Sequence, residues 1–142
     1  MSIANLYETI LASKMRSTQL QLEITELQSQ KNLAVYAQTD AQSMLNNETR
    51  GIRDYFKEIY ENDPTLQEKY VDYTEIPDYE EEVNRVTALY QDQLEELVAW
   101  ETALDAQITT NSTELEEIKA FLESYESMLT TNIGDDFDYG LG

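Results

Sequence analysis

From Ile3 to Leu45 the sequence contains neither glycine nor proline, and positions three and four residues apart form one series through it. The series opens Ile3, Leu6, Ile10, Ser13, Ser17, Leu20, Ile24, Leu27 and closes Lys31, Ala34, Gln38, Ala41, Leu45. Strands seldom exceed about ten residues, so an unbroken run of this length is a helix, and alternating steps of three and four are those of a coiled-coil-like seam. At 1.5 Å per residue a first long helix over 1–47 would reach about 65 Å. It is expected to end or bend in "NNETRG", where Asn46, Asn47 and Gly51 favour a cap or a turn.

Within this run "QLQLEITELQSQ", residues 19–30, can be read in two ways. Leu20, Leu22 and Ile24 alternate with polar residues as a half-buried strand would, yet Leu20, Ile24 and Leu27 also share one helical face. At about 100° per residue, Leu22 falls with Tyr7, Leu11, Met15, Leu33 and Met44 on the side of the helix opposite the seam. The alternation is therefore two helical faces seen in one line. A helix apolar on both sides cannot be covered by a single antiparallel partner. A neighbouring subunit is expected to supply the missing cover, through Leu11, Met15, Leu22 and Leu33. The other solution weighed is a compact bundle in which the long helices kink and fold back. Ile10, Leu20, Ile24 and Leu27 are expected inside the hairpin, with Leu97, Trp100, Leu104 and Ile118 of a second helix.

The connecting segment, 51–78, carries short helices. Ile52, Tyr55, Phe56, Ile59 and Tyr60 make one amphipathic turn pair, and Asp63 before Pro64 reads as an N-cap and an N1 proline opening another around Leu66 to Val71. After Pro77, Asp78 and Glu81 fit a capping box, so a second long helix is expected over 79–132. Its apolar positions run from Val83, Val86 and Tyr90 to Leu122, Tyr125 and Leu129. "TTNST" at 109–113 gathers poor helix formers, where a bend or break is expected, and Gly134 would cap the end in a left-handed conformation. The remaining 133–142 is read as a C-terminal arm. In it Phe137, Tyr139 and Leu141 alternate with small or acidic residues, as suits an extended segment laid on a neighbour.

Composition narrows the chemistry. The 142 residues are 41% apolar and include no Cys and no His, which removes disulfides, thiol nucleophiles, histidine bases and Cys/His zinc sites. No catalytic residue and no cofactor or metal ligand set is assigned. Glu116 and Glu123 in "ELEEIKAFLESYE" read as solvated helix surface, and "DDFD" lacks the remaining ligands of a calcium loop. "NET" at Asn47 and "NST" at Asn111 match glycosylation sequons by composition alone. No run suits a membrane span, and the first residues lack a basic signal region. Synthesis in the cytoplasm without a cleavable signal peptide is expected, with noncleaved export left open.

Net charge is −20, unevenly placed. Residues 1–50 hold four basic and five acidic residues, residues 51–78 three and eight, and residues 79–142 two and sixteen. So acidic a second half repels nucleic acid and anionic lipid. It could serve solubility, or meet a basic protein. In layout, two long helices from the two termini joined by a variable middle, the chain resembles the helical-hairpin filament subunits of type III secretion and flagellar systems. The expectation is an all-α, elongated antiparallel hairpin of two long helices, a single helical unit over 1–142, non-enzymatic and structural. It would self-associate, its partner being itself as a homo-oligomer or polymer. The alternative is a cytosolic adaptor or secretion-chaperone-like module that holds a basic protein on its acidic second helix.

Overall fold

The computed structural model describes the backbone of residues 2–141 and the side chains of residues 2–134. It is all-α among the described residues: α1 (Ile3–Asn62), α2 (Pro64–Lys69), a 3-10 turn (Tyr73–Glu75) and α3 (Pro77–Leu141), with the two long helices packed on each other as a hairpin. The chain divides into two compact units, one formed by Met1–Gln30 with Ala103–Gly142 and the other by Lys31–Thr102.

In the first unit Ser2 opens α1, its Oγ accepting the Asn5 N–H at 3.1 Å. Leu6 and Leu20 are fully enclosed, with Ile10, Ser17 and Leu104 also buried. Polar pairs fix the antiparallel register at the margins of this seam. Arg16 grips Glu114 with two hydrogen bonds, Nε to Oε1 at 3.0 Å and Nη2 to Oε2 at 3.1 Å. Lys14 Nζ lies 3.1 Å from Glu126, and Asn111 donates to Glu23 at 3.3 Å. Such half-exposed pairs set register more than they stabilise.

In the second unit Ala41, Val86 and Tyr90 make the core, flanked by Leu45, Ile52, Leu94 and Leu97. This cluster corrects the expected end of the first helix at residue 47. Leu45 and Ile52 bracket "NNETRG" and both pack on the cluster, so burial on either side carries the helix through Asn46, Asn47 and Gly51. A glycine in a helix interior costs about 1 kcal/mol relative to alanine, less than one buried leucine returns at roughly 1.5–3 kcal/mol. The predicted separate helix around Phe56 is therefore the last part of α1.

The connector follows its sequence signals closely. Asp63 caps α2, its carboxylate accepting the Thr65 N–H at 2.9 Å, with Pro64 in the first turn. Gln67 donates to the carbonyls of Tyr60 and Glu61, two of the groups that the end of α1 leaves unpaired. The Tyr60 hydroxyl donates to the carbonyls of Tyr70 and Val71 at 3.0 and 2.8 Å. Phe56, Tyr79 and Tyr73 meet edge to face at 5.7 and 5.4 Å between ring centres, beside buried Ile76. Pro77 begins α3, two residues earlier than expected, so Asp78 lies within its first turn instead of capping it.

Two further expectations about α3 are corrected. It runs unbroken through 109–113, where the Thr110 and Thr113 hydroxyls donate back to the carbonyls of Ala106 and Thr109. It also passes Gly134, none of the described glycines having a positive φ, so the backbone after Asn132 is helical and not an extended arm. The side chains of Phe137, Tyr139 and Leu141 lie outside the described residues.

Candidate interaction surface

Every position of the Ile3 to Leu45 series is buried or half-buried. With that side of α1 turned to α3 in both units, the opposite side is left bare. In the first unit it presents Tyr7 and Leu11 with Met15 and Leu22, the last two 67% and 68% exposed. In the second it presents Leu33 and Tyr36, while Met44 and Tyr55, about 60° from buried Ala41 and half-buried Ile52, are exposed at the edge of the seam. The contrast within "QLQLEI" is complete: Leu20 is fully enclosed and Leu22, two residues later, stands in solvent. Among the residues expected to contact neighbours, Leu11, Met15, Leu22 and Leu33 thus all lie on the surface, on one helix. The sequence had no signal for Tyr36 beyond its place on that wheel.

Of the residues expected inside the hairpin, Ile10, Leu20 and Leu104 are buried and Ile24, Leu27, Leu97 and Ile118 half-buried. Trp100 is corrected, being 41% exposed. On α3 the inward line passes from Leu97 to Glu101 to Leu104, and a residue one place before Glu101 stands about 100° to the side. Glu101 is tolerated there because Gln38 Nε2 donates to its carboxylate at 2.7 Å. This polar layer within an apolar seam penalises sliding of one helix past the other.

Electrostatics separate the helices. Exposed acids crowd α3, including Glu95, Glu96, Glu116, Glu117 and Glu123, while its only cations are Arg85 and Lys119. Arg85 is held by Glu82 on the same helix, Nη2 to Oε2 at 2.9 Å. On the seam of the second unit the Tyr90 hydroxyl donates to Glu48 Oε1 at 2.9 Å. That hydrogen bond first, then burial and the carboxylate charge, raise the Tyr90 pKa above its usual value.

Concave features are shallow by comparison. An open trough of about 540 Å³ in the first unit is lined by Glu23, Glu26, Leu27, Ala106 and Asn111 among others. Among the described residues no group of three or more acidic side chains gathers as a metal site, and no helix is long and apolar enough to cross a membrane. The groups with shifted pKa values, Arg16, Arg85 and Tyr90, each have a carboxylate partner. Large apolar side chains also stand exposed on α3, at Leu89, Val98, Phe121, Met128 and Ile133. No protein-family model, no curated protein and no solved structure matches this chain.

Proposed function

We infer that the chain is a non-enzymatic structural protein that self-associates by helical packing, as the subunit of a filament or other repeating assembly. One observation carries this reading: α1 keeps large apolar side chains exposed on its outer side in both units while α3 already occupies its inner side. Scattered exposed leucines need no explanation, but a file of them along one helix face marks a contact surface. Replacing Leu11 and Leu22 together by Glu tests it. Sedimentation should then show loss of the assembly with helicity retained, because both side chains stand outside the seam. An unfolded monomer would put these residues in the core, and normal assembly would make the face irrelevant.

The acidity of α3 supports a second reading, an adaptor or secretion-chaperone-like module that holds a basic protein there. Salt separates the two. Screening relieves repulsion between like acidic copies and strengthens self-association, whereas it weakens a complex with a basic partner. Light scattering against ionic strength reads the sign directly.

A further inference from the structure

We propose that the second unit takes a basic amphipathic helix of another protein into the groove on one side of its α1–α3 seam, completing a three-helix bundle there. The proposal rests on the second reading above, that a basic protein is held, and moves the contact from the acidic face of α3 to this groove. Four exposed apolar side chains of the unit share that side. Met44 and Tyr55 stand three places after Ala41 and Ile52 on α1, and Leu89 and Trp100 three places after Val86 and Leu97 on α3, the four inward residues all belonging to one packed cluster. A step of three turns a side chain about 60° from the inward direction, always to the same hand. Antiparallel helices are related by a local two-fold axis across their seam, so this step leads to the same side on both. A trough of about 430 Å³, lined by Gly51, Ile52 and Tyr55 of α1 with Glu82, Arg85 and Val86 of α3, lies on that side. A Cβ at Gly51 would meet nothing within 4 Å. The hairpin's own packing therefore does not require a glycine in this helix interior, where glycine is disfavoured, and its missing side chain leaves the trough open. From the Gln38 to Glu101 hydrogen bond beside Trp100 to the level of Ile52, α1 runs about fourteen residues, or about 21 Å, which is four turns of a docked helix.

Charge selects the occupant. Glu48 and Glu82 line the trough, Glu58 and Asp63 line the next hollow beyond Tyr55, and exposed Glu96 shares a face of α3 with Leu89 and Trp100, seven places after one and four before the other. The cation at this rim, Arg85, is held by Glu82 at 2.9 Å. Arg50, Arg53 and Lys57 of α1 fall about 140–160° around the helix from Tyr55 and face away. An apolar floor with a carboxylate rim is the complement of a helix that carries an apolar stripe flanked by cations. A second copy brings no such helix, because acidic residues outnumber basic ones five to four in 1–50, eight to three in 51–78 and sixteen to two in 79–142. A basic protein does.

Trp100 is the only tryptophan of the chain and is 41% exposed, so its fluorescence reports cover of the groove directly. The full-length chain, at a dilution where sedimentation shows single chains, is titrated with a tryptophan-free peptide of about fourteen residues, leucines on one helical face and lysines on the other. Trp100 emission should shift to the blue. A scrambled peptide of the same composition, and a Leu/Gln peptide of the same spacing, should each bind at least about 10-fold more weakly. Leu89→Glu and Met44→Glu should each weaken the leucine-lysine peptide about 10-fold, since each removes an apolar contact from a side chain about half exposed in the free chain. Val98→Glu, the same change of charge on the other side of α3, should leave binding unchanged or slightly tighter. The added carboxylate makes the sign diagnostic, because attraction to an acidic surface alone would tighten in all three variants. Tightening in Leu89→Glu, or equal affinity for the scrambled peptide, overturns the groove and leaves a basic partner on α3 standing. Equal affinity for the Leu/Gln peptide overturns the selection by charge, and the proposal with it. No binding of either lysine peptide overturns the proposal and the second reading together.

Discussion

Leu20 and Leu22 provide a paired perturbation in which sequence separation is minimal and physical environment is opposite. Leu20 has 0% of its surface exposed and Leu22 has 68%. Truncating a fully enclosed leucine removes its transfer free energy and leaves a cavity, together about 2.7–5 kcal/mol. For Leu22 no cavity can form. Only about a third of its surface is covered in the single chain, so the loss is at most about 1 kcal/mol on a scale of 1.5–3 kcal/mol for complete burial. Urea unfolding of Leu20→Ala and Leu22→Ala, followed by far-ultraviolet circular dichroism on dilute protein, should therefore separate the two by about 2 kcal/mol or more. The slope of free energy with urea should stay constant, showing that the surface exposed on unfolding has not changed. At concentrations where the wild type assembles, Leu22→Ala should lose stability relative to wild type as well, because a contact present only in the assembly has been cut. Equal costs for both variants at high dilution would mean that the outer face is part of the single-chain core. A cost under about 1 kcal/mol for Leu20→Ala would refute the seam itself.

Three shorter predictions follow from the second unit. A Cβ added at Gly51 meets nothing within 4 Å, so Gly51→Ala should raise the unfolding free energy by about 0.8–1 kcal/mol, and a lower melting temperature would contradict a continuous α1. Because the folded state raises the Tyr90 pKa above its usual 10.0, folded chains hold that proton longer than unfolded ones; stability from this group is full below pH 10.0 and is lost as pH climbs through the raised value. Tyr90→Phe should accordingly show a shallower alkaline fall than wild type in pH-dependent unfolding, and identical slopes would mean that the Glu48 hydrogen bond is absent. Replacing Gln38 and Glu101 together by Leu should raise the melting temperature while allowing alternative registers, detectable as broadened amide resonances; a lower melting temperature would show that this polar layer stabilises the seam.

How much could be read from the sequence varies with how many residues vote. The seam was legible because burial of a helix face is repeated at every turn from Ile3 to Leu45, so a few polar members such as Ser17 and Lys31 do not obscure it. Asp63 and Pro64 were legible for the opposite reason, each being a local chemical requirement of a helix start that needs no distant partner. The misread points are where these two sources disagree. Asn46, Asn47 and Gly51 argue locally for a stop, and Leu45 with Ile52 argue through the core for continuation. Thr109 to Thr113 repeat the conflict, with half-buried Ile108 and Leu115 on either side. Helix propensities are worth tenths of a kcal/mol per residue and flanking burial several times more, so packing decides both cases. Trp100 failed by another route: its size suggests a core anchor, but position on the wheel is set by Leu97 and Leu104, and that line passes through Glu101.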